Sequence, residues 1–374
     1  MRYRSPVASF VLMAGLLLAF AAKAQNNMTL YGVIDTGIEY LNHASQGNGS
    51  VVRVPTLSGS VPSRLGFRGS ESLGNGLEVV FVLENGFAPD QGGQLQGSRL
   101  FGRQSTLGLR GNWGQIDIGR QWTTTFRAMI DADVIGPSAF SLASLDSYLP
   151  NSRLDNSLSY YGAFGGLTVG GVYSFGRDAS PASNCGGEQG NSACNGWAAL
   201  IKYNDNAARW GAAGAYEEIR GGPNAAPLTV VPGAAGIAFN HSRDKDQRYH
   251  LNGYVKIADA KIGGGWLYRN IDANARRLHT NLYYLGVSVP IQNTTLDGQV
   301  SYMDNPSYGS KATLLVLRAT HAFSKRTAAY ISAGYINNNG NGPAYSVSAS
   351  SMAVHSPKPN QSQIGTLVGL RHAF

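Results

Sequence analysis

The chain has 374 residues, with 30 Lys+Arg against 22 Asp+Glu, 48 glycines and only 14% charged residues, where a typical soluble domain carries ~25%. The basic residues are dispersed, with no Lys/Arg run and no RNA-binding signature, which argues against a nucleic-acid partner. Beyond the first 24 residues no stretch approaches the ~20 apolar residues of a membrane helix, so a helical membrane protein is excluded.

In chain order, the first predicted element is a secretory signal over residues 1–24. Arg2 and Arg4 make its positive start and Val7 to Ala22 its apolar run. Ala22-Lys23-Ala24 is a small-x-small cleavage site before Gln25. Loss of Arg2, Arg4 and Lys23 leaves 27 basic against 22 acidic residues, a net charge near +5. The remaining chain, 25–374, reads as one exported domain.

Period-2 alternation then recurs throughout. Leu30, Ile34, Ile38 and Tyr40 share a face opposite Tyr31, Asp35 and Glu39. Leu77, Val79, Phe81 and Leu83 oppose Glu78 and Glu84. The pattern predicts sixteen strands near 28–41, 51–71, 77–88, 99–111, 115–122, 154–163, 167–176, 196–205, 209–218, 246–257, 261–270, 279–290, 294–303, 312–323, 327–336 and 361–374. The gaps alternate between short (72–76, 112–114, 164–166, 206–208, 258–260, 291–293, 324–326) and mostly long (123–153, 177–195, 219–245 and 337–360 the longest). A soluble sandwich alternates along its strands too. Short turns at one end with long loops at the other is the pattern of a transmembrane barrel. An even strand number brings both chain ends to the short-turn side, where closure removes the sheet edges that lipid forbids. Eighteen strands would need a further pair hidden within 219–245. Tyr31, Tyr160, Tyr161, Tyr173, Trp197, Trp210 and Trp266 are candidates for interfacial aromatic girdles. Cys185 and Cys194, nine apart in a Gly/Asn-rich loop of an exported protein, read as a disulfide. The terminal strand, Thr366 to Phe374, alternates to the last residue. Such a strand reads as a paired terminus and an assembly signal, with Phe374 at its end.

Several local sequences add up to a resemblance: Leu30-Tyr31-Gly32-Val33-Ile34-Asp35, Ser63-Arg64-Leu65-Gly66-Phe67-Arg68-Gly69, Phe101-Gly102-Arg103-Gln104, Gly119-Arg120-Gln121 and the terminal Phe374. In this order the chain from residue 28 to 374 resembles the general porins of Gram-negative outer membranes, and most closely their β-proteobacterial branch. The resemblance implies an all-β fold, a 16-stranded antiparallel transmembrane β-barrel whose third extracellular loop (123–152) folds inward. It further implies a homotrimer in the outer membrane, in contact with lipid and lipopolysaccharide, assembled by the barrel-assembly machinery through the C-terminal strand. Small ions and solutes would pass through each pore.

The family sets basic residues on the wall against acids on the inward loop. By motif match its wall positions fall on Arg64, Arg103 and Arg153. Arg68 shares the face of Arg64 by parity, and Arg120 closes the fifth strand. On the loop, Asp131, Asp133 and Asp146 are the candidate acids. The sequence departs from the better-known members at Gly136-Pro137-Ser138-Ala139-Phe140, where they carry Pro-Glu-Phe-Gly. With Ser138 in place of a Glu the acidic side is weakened. The expected pore is therefore moderately anion-preferring, against the pull of wall acids Asp35, Glu39, Glu78 and Glu84.

Two rival classes fit less of the chain. A barrel hydrolase needs a nucleophile and base, but the seven His are scattered, with no Gly-x-Ser-x-Gly, His-Glu-x-x-His or phosphate loop. A secreted β-rich adhesin explains the signal and the glycine content, but not the alternating loop lengths. No catalytic residue, cofactor or metal is expected.

Overall fold

A computed structural model describes residues 27–47, 49–149, 152–177, 185, 190, 192–231, 234–350 and 355–374. The predicted signal, 1–24, lies outside the described residues, as does most of the loop between Arg177 and Asn195.

The described residues form seventeen strands in one sheet. They are β1 (Asn27–His43), β2 (Gly49–Arg53), β3 (Arg64–Gly74), β4 (Leu77–Gly86), β5 (Gln104–Gly111), β6 (Gly114–Trp122), β7 (Arg153–Phe164), β8 (Leu167–Ser174) and β9 (Gly196–Asn204). The second half comprises β10 (Trp210–Arg220), β11 (Lys245–Ile257), β12 (Ala260–Ala273), β13 (Arg276–Ile291), β14 (Thr294–Asn305), β15 (Ser310–Ala322), β16 (Thr327–Asn339) and β17 (Gln363–Ala373). Sixteen are staves of a closed antiparallel barrel. β2 is a short extension at the long-loop end that pairs with Glu39–Leu41.

Each stave from β3 onward pairs with its sequence neighbour. β1 closes the ring: Val33–Leu41 pairs with Gly365–Ala373 of β17, and Asn27–Val33 pairs with Arg64–Ser70 of β3. Phe374 completes the seam by exchanging backbone hydrogen bonds with Gly32, at 3.0 and 3.1 Å. The β3–β4 turn shows why short turns are possible: Asn75 and Gly76 have φ of 52° and 76°, the left-handed pair of a tight hairpin.

The second predicted strand, 51–71, is broken. Pro55 and Pro62 flank a segment, 54–63, that leaves the sheet, because proline removes a ladder donor. Side chains replace the missing ladder beside β1. The Asp35 amide donates to Ser63 Oγ at 3.0 Å, and the Asp35 carboxylate accepts from the Val61 amide at 2.9 Å and from Ser60 Oγ. No eighteenth stave occurs among the described residues; within 219–245 there is only an isolated bridge between Leu228 and Ile237.

The outward face is apolar: Ile118 is 65% exposed, and Ile38, Leu107, Ile201, Leu285 and Val368 share its character. No helix among the described residues is long and apolar enough to cross a membrane; this wall of strands presents the lipid-compatible surface instead. Tyr173, Trp197 and Trp210 point outward as predicted, and Tyr160 stacks against exposed Trp113 there. Tyr31 and Tyr161 do not. Tyr31 turns inward to donate to Glu84 at 2.9 Å, and the Tyr161 ring lies beneath the Arg127 guanidinium at 3.9 Å.

Candidate functional site

The barrel interior is occupied on one side by the loop between β6 and β7. Its two ends meet where the Thr123 amide donates to the Ser152 carbonyl at 2.9 Å. A helix, α1 (Thr124–Met129), leads inward and packs against β9, β10 and β11. The chain then follows the inner wall. Arg318 on β15 donates to the Ile135 carbonyl at 2.9 Å, and the Ala139 amide reaches the Ser58 carbonyl at 2.8 Å. Ala132, Ile135, Ala139, Phe140, Leu142 and Leu145 are buried in this passage.

The wall is cut to receive it. A Cβ at Gly263 would collide with the Ala132 backbone, one at Gly286 with the Val134 side chain, and ones at Gly334 and Gly365 with Phe140 or Val347. Much of the interior core is therefore loop packed on wall, and the open lumen is displaced toward β1 and β3–β6.

That remaining wall carries the predicted arginines. Arg64 and Arg68 stand on one face of β3, and the side chain of Arg64 is 27% exposed. Arg68 is exposed, its guanidinium 5.2 Å from the Tyr31 ring. Glu84 on β4 binds the group together, with Arg103 Nε at 2.7 Å, Tyr31 Oη at 2.9 Å and Arg64 Nε at 3.6 Å. Arg103, Arg120 and Arg153 are buried, contrary to a simple pore-lining expectation. Arg103 lies just before β5 and turns to Glu84, and at Arg120 and Arg153 the alternation is interrupted: between Gly119 and Gln121 the register of β6 against β7 shifts. Arg120 sits in this bulge and turns to the Gly102 carbonyl at 2.7 Å and to Asp155, which Arg99 also approaches at 3.7 Å. Arg153 donates to the Arg103 carbonyl at 2.9 Å. The structure thus brings Arg64, Arg103, Arg120 and Arg153 into one contiguous cluster, in which only Arg64 meets water appreciably.

The predicted loop acids are dispersed, and each meets a basic partner or neighbour. Asp131 pairs with Lys202 on β9 at 2.5 Å, and Asp146 with Arg248 on β11 at 3.5 Å. Asp133 is buried near Arg318, and burial raises its pKa above the usual aspartate range. The Tyr148 hydroxyl of the same loop donates to Glu217, and burial pushes its pKa well up. The wall acids are also occupied: Glu39 by Arg53 at 2.6 Å, Glu78 by Arg110 at 2.6 Å. Ser138 is buried and donates to the Phe140 carbonyl at 2.9 Å, so it helps fold the loop tip. Residues not singled out from sequence include Trp122, Arg127, Asp155 and the Asp246–Arg248–Arg269 group. Trp122 and Asp155 flank the bulge, beyond the reach of parity.

The Cys185–Cys194 disulfide is present, and the Cys194 amide donates to the Gly221 carbonyl at 2.9 Å. The bridge thereby sits against the next long loop. Among the described residues no group of His, Cys, Asp and Glu could hold a metal ion.

Comparison with known proteins agrees with this architecture. Residues 8–341 match the Gram-negative porin family. The chain is similar to outer membrane porin protein 32 of Delftia acidovorans (29% identity, covering 98% of this chain and 99% of that one). It is also similar to an outer membrane porin of Bordetella pertussis (28% identity, 97% and 99%). Among solved structures it resembles the anion-selective porin from Comamonas acidovorans, with a TM-score of 0.77 at 25% identity over 94% of this chain and 100% of that one.

Proposed function

The chain belongs to the Gram-negative porin family, an outer-membrane channel for passive diffusion, and on that premise we propose that its pore prefers small anions. The observation that carries this reading is the charge imbalance in the wall cluster. Arg64 and Arg103 engage Glu84, Arg120 engages Asp155, and Arg153 joins the group through the Arg103 carbonyl, so four guanidinium groups gather around two carboxylates. The predicted loop acids do not redress the balance, because Lys202 and Arg248 engage two of them and Asp133 is buried near Arg318. A buried guanidinium remains charged, and low-dielectric walls focus its field into the lumen. Two unit charges about 8 Å apart at an effective dielectric of about 40 interact by about 1 kcal/mol, a severalfold bias between ions.

We assign Arg64 and Arg68 as the basic residues that passing anions meet directly, with Arg103, Arg120 and Arg153 acting through their field. Asp131, Asp133 and Asp146 hold the loop to the far wall. Residues 1–24 are proposed as a cleaved signal and 25–374 as the barrel. A homotrimer is proposed by analogy, since a related fold is described in a trimer form. No covalent chemistry is assigned to the molecule. Reversal potentials in planar bilayers under a tenfold KCl gradient test the reading: chloride is expected to permeate severalfold better than potassium near 0.1 M salt. A potassium-selective wild type would overturn it.

A further inference from the structure

Trp122 occupies a position that neither the alternation nor the charge pattern explains. It ends β6 at the mouth of the inward loop, and it is buried. The Phe126 ring of α1 stacks on it, with centroids 3.9 Å apart and planes 15° apart. The Arg153 guanidinium carbon lies 3.4 Å from the indole centroid. Two groups this close cannot share one face of a ring, so Phe126 and Arg153 take opposite faces. The Arg103 guanidinium carbon is 5.1 Å from the same ring. Register places Trp122 directly opposite Arg153 across the β6–β7 ladder, so the stack is built into the sheet.

We propose that Trp122 is a positioning residue for ion selectivity: its indole holds Arg153 and Arg103 in the cluster and fastens α1 of the inward loop to them. The physical need is clear. Arg153 is wholly buried and lies among other arginines, where like charges repel and water is absent. The negative face of an indole offsets part of that loss, more so in a desolvated site. The planar guanidinium suits the stack as an ammonium would not. Without the ring, a guanidinium in this setting would swing toward Glu84, Asp155 or water, and α1 would lose its anchor. The positive field at the lumen would then spread and weaken. An uncharged residue would thus set how strongly the charged ones act.

This inference rests on the anion-preferring reading, but its test compares variants with wild type. A wild type without anion preference would defeat that reading and leave the comparison intact. The experiment measures the chloride-to-potassium permeability ratio near 0.1 M KCl for wild type, Trp122→Leu, Trp122→Phe, Arg153→Met and the Trp122→Leu/Arg153→Met pair. Trp122→Leu is expected to lower the ratio at least about twofold, the scale of one weakened lumenal charge. Trp122→Phe, which keeps an aromatic face, should retain most of it. The double variant should lose less than the sum of the two single losses, because Trp122 and Arg153 act as a unit, while Arg103 and α1 still depend on the ring. A wild-type ratio for Trp122→Leu, an equal loss for Trp122→Phe, or additive effects in the pair would each overturn the proposal. If Trp122→Leu does not assemble into a barrel, Phe126→Leu is read in its place. It removes the loop side of the stack and should lower the ratio in the same direction; an unchanged ratio overturns the anchoring.

Discussion

At the scale of single residues, Glu84 is the pivot of the wall. Its two oxygens receive Arg103, Tyr31 and the approach of Arg64. Glu84→Gln leaves the shape but removes the negative charge, so the arginines repel one another and their field grows. The expected outcome is a rise in chloride preference, seen in the reversal potential. A lower unfolding temperature should accompany it, since a buried ion pair that loses one partner costs about 3 kcal/mol. Unchanged selectivity would show that the cluster does not govern the lumen.

Asp133 supplies a second residue-level expectation. Burial raises its pKa, so the folded protein binds its proton more tightly than the unfolded chain does. Its contribution to stability is full below the unfolded aspartate pKa and is lost as pH rises through the raised value. Acidification should therefore stabilise wild type relative to Asp133→Asn, and thermal unfolding of the two proteins across mildly acidic pH measures the difference. Arg64 was legible from the family motif, and Arg68 and Glu84 from alternation. Arg120, Trp122 and Arg153 could not be read from alternation, because a bulge in β6–β7 breaks the parity that such reading depends on.

Among the elements, the inward loop is held by what the wall lacks. Gly263, Gly286, Gly334 and Gly365 leave a track into which Ala132, Val134 and Phe140 of this loop fit, with Val347 of the β16–β17 connection beside Phe140. Gly263→Val places a branched side chain against loop backbone, which cannot yield as a flexible side chain can. The loop should be displaced toward the open lumen, with a clear drop in single-channel conductance while the barrel still assembles. Wild-type conductance in Gly263→Val would mean the loop does not bound the pore. The staves were legible because lipid on one side and water on the other impose strict alternation. The loop's path was not, since it depends on contacts between segments far apart in sequence. The break at 54–63 was marked by Pro55 and Pro62, yet its repair by Ser60, Ser63 and Asp35 was invisible before the fold brought β1 beside them.

For the whole molecule, closure is what matters most. The β1–β17 seam and the Phe374–Gly32 exchange leave no free edge, and every other stave is paired along most of its length. The Cys185–Cys194 bridge lies outside this ladder. Replacing both cysteines by serine should leave conductance unchanged, although the chain-entropy model allows about 2–3 kcal/mol for such a loop. Loss of the channel would show that the bridge organises the mouth. Selectivity, too, is a property of the whole lumen: it should fade as salt approaches 1 M, where the Debye length is ~3 Å.

The central claim is that the arginine face of β3 borders the narrow lumen and sets its preference for anions. It is tested most directly by Arg64→Cys in planar bilayers, treated with thiol reagents of opposite charge. The two native cysteines are joined to each other, so the new thiol alone should react. Reversal potential in a KCl gradient is the measurement. A negatively charged methanethiosulfonate is expected to move the pore toward potassium and a positively charged one to restore chloride preference. If both reagents label the thiol and neither moves the reversal potential, the arginine wall does not face the conducting path and does not set the ion preference.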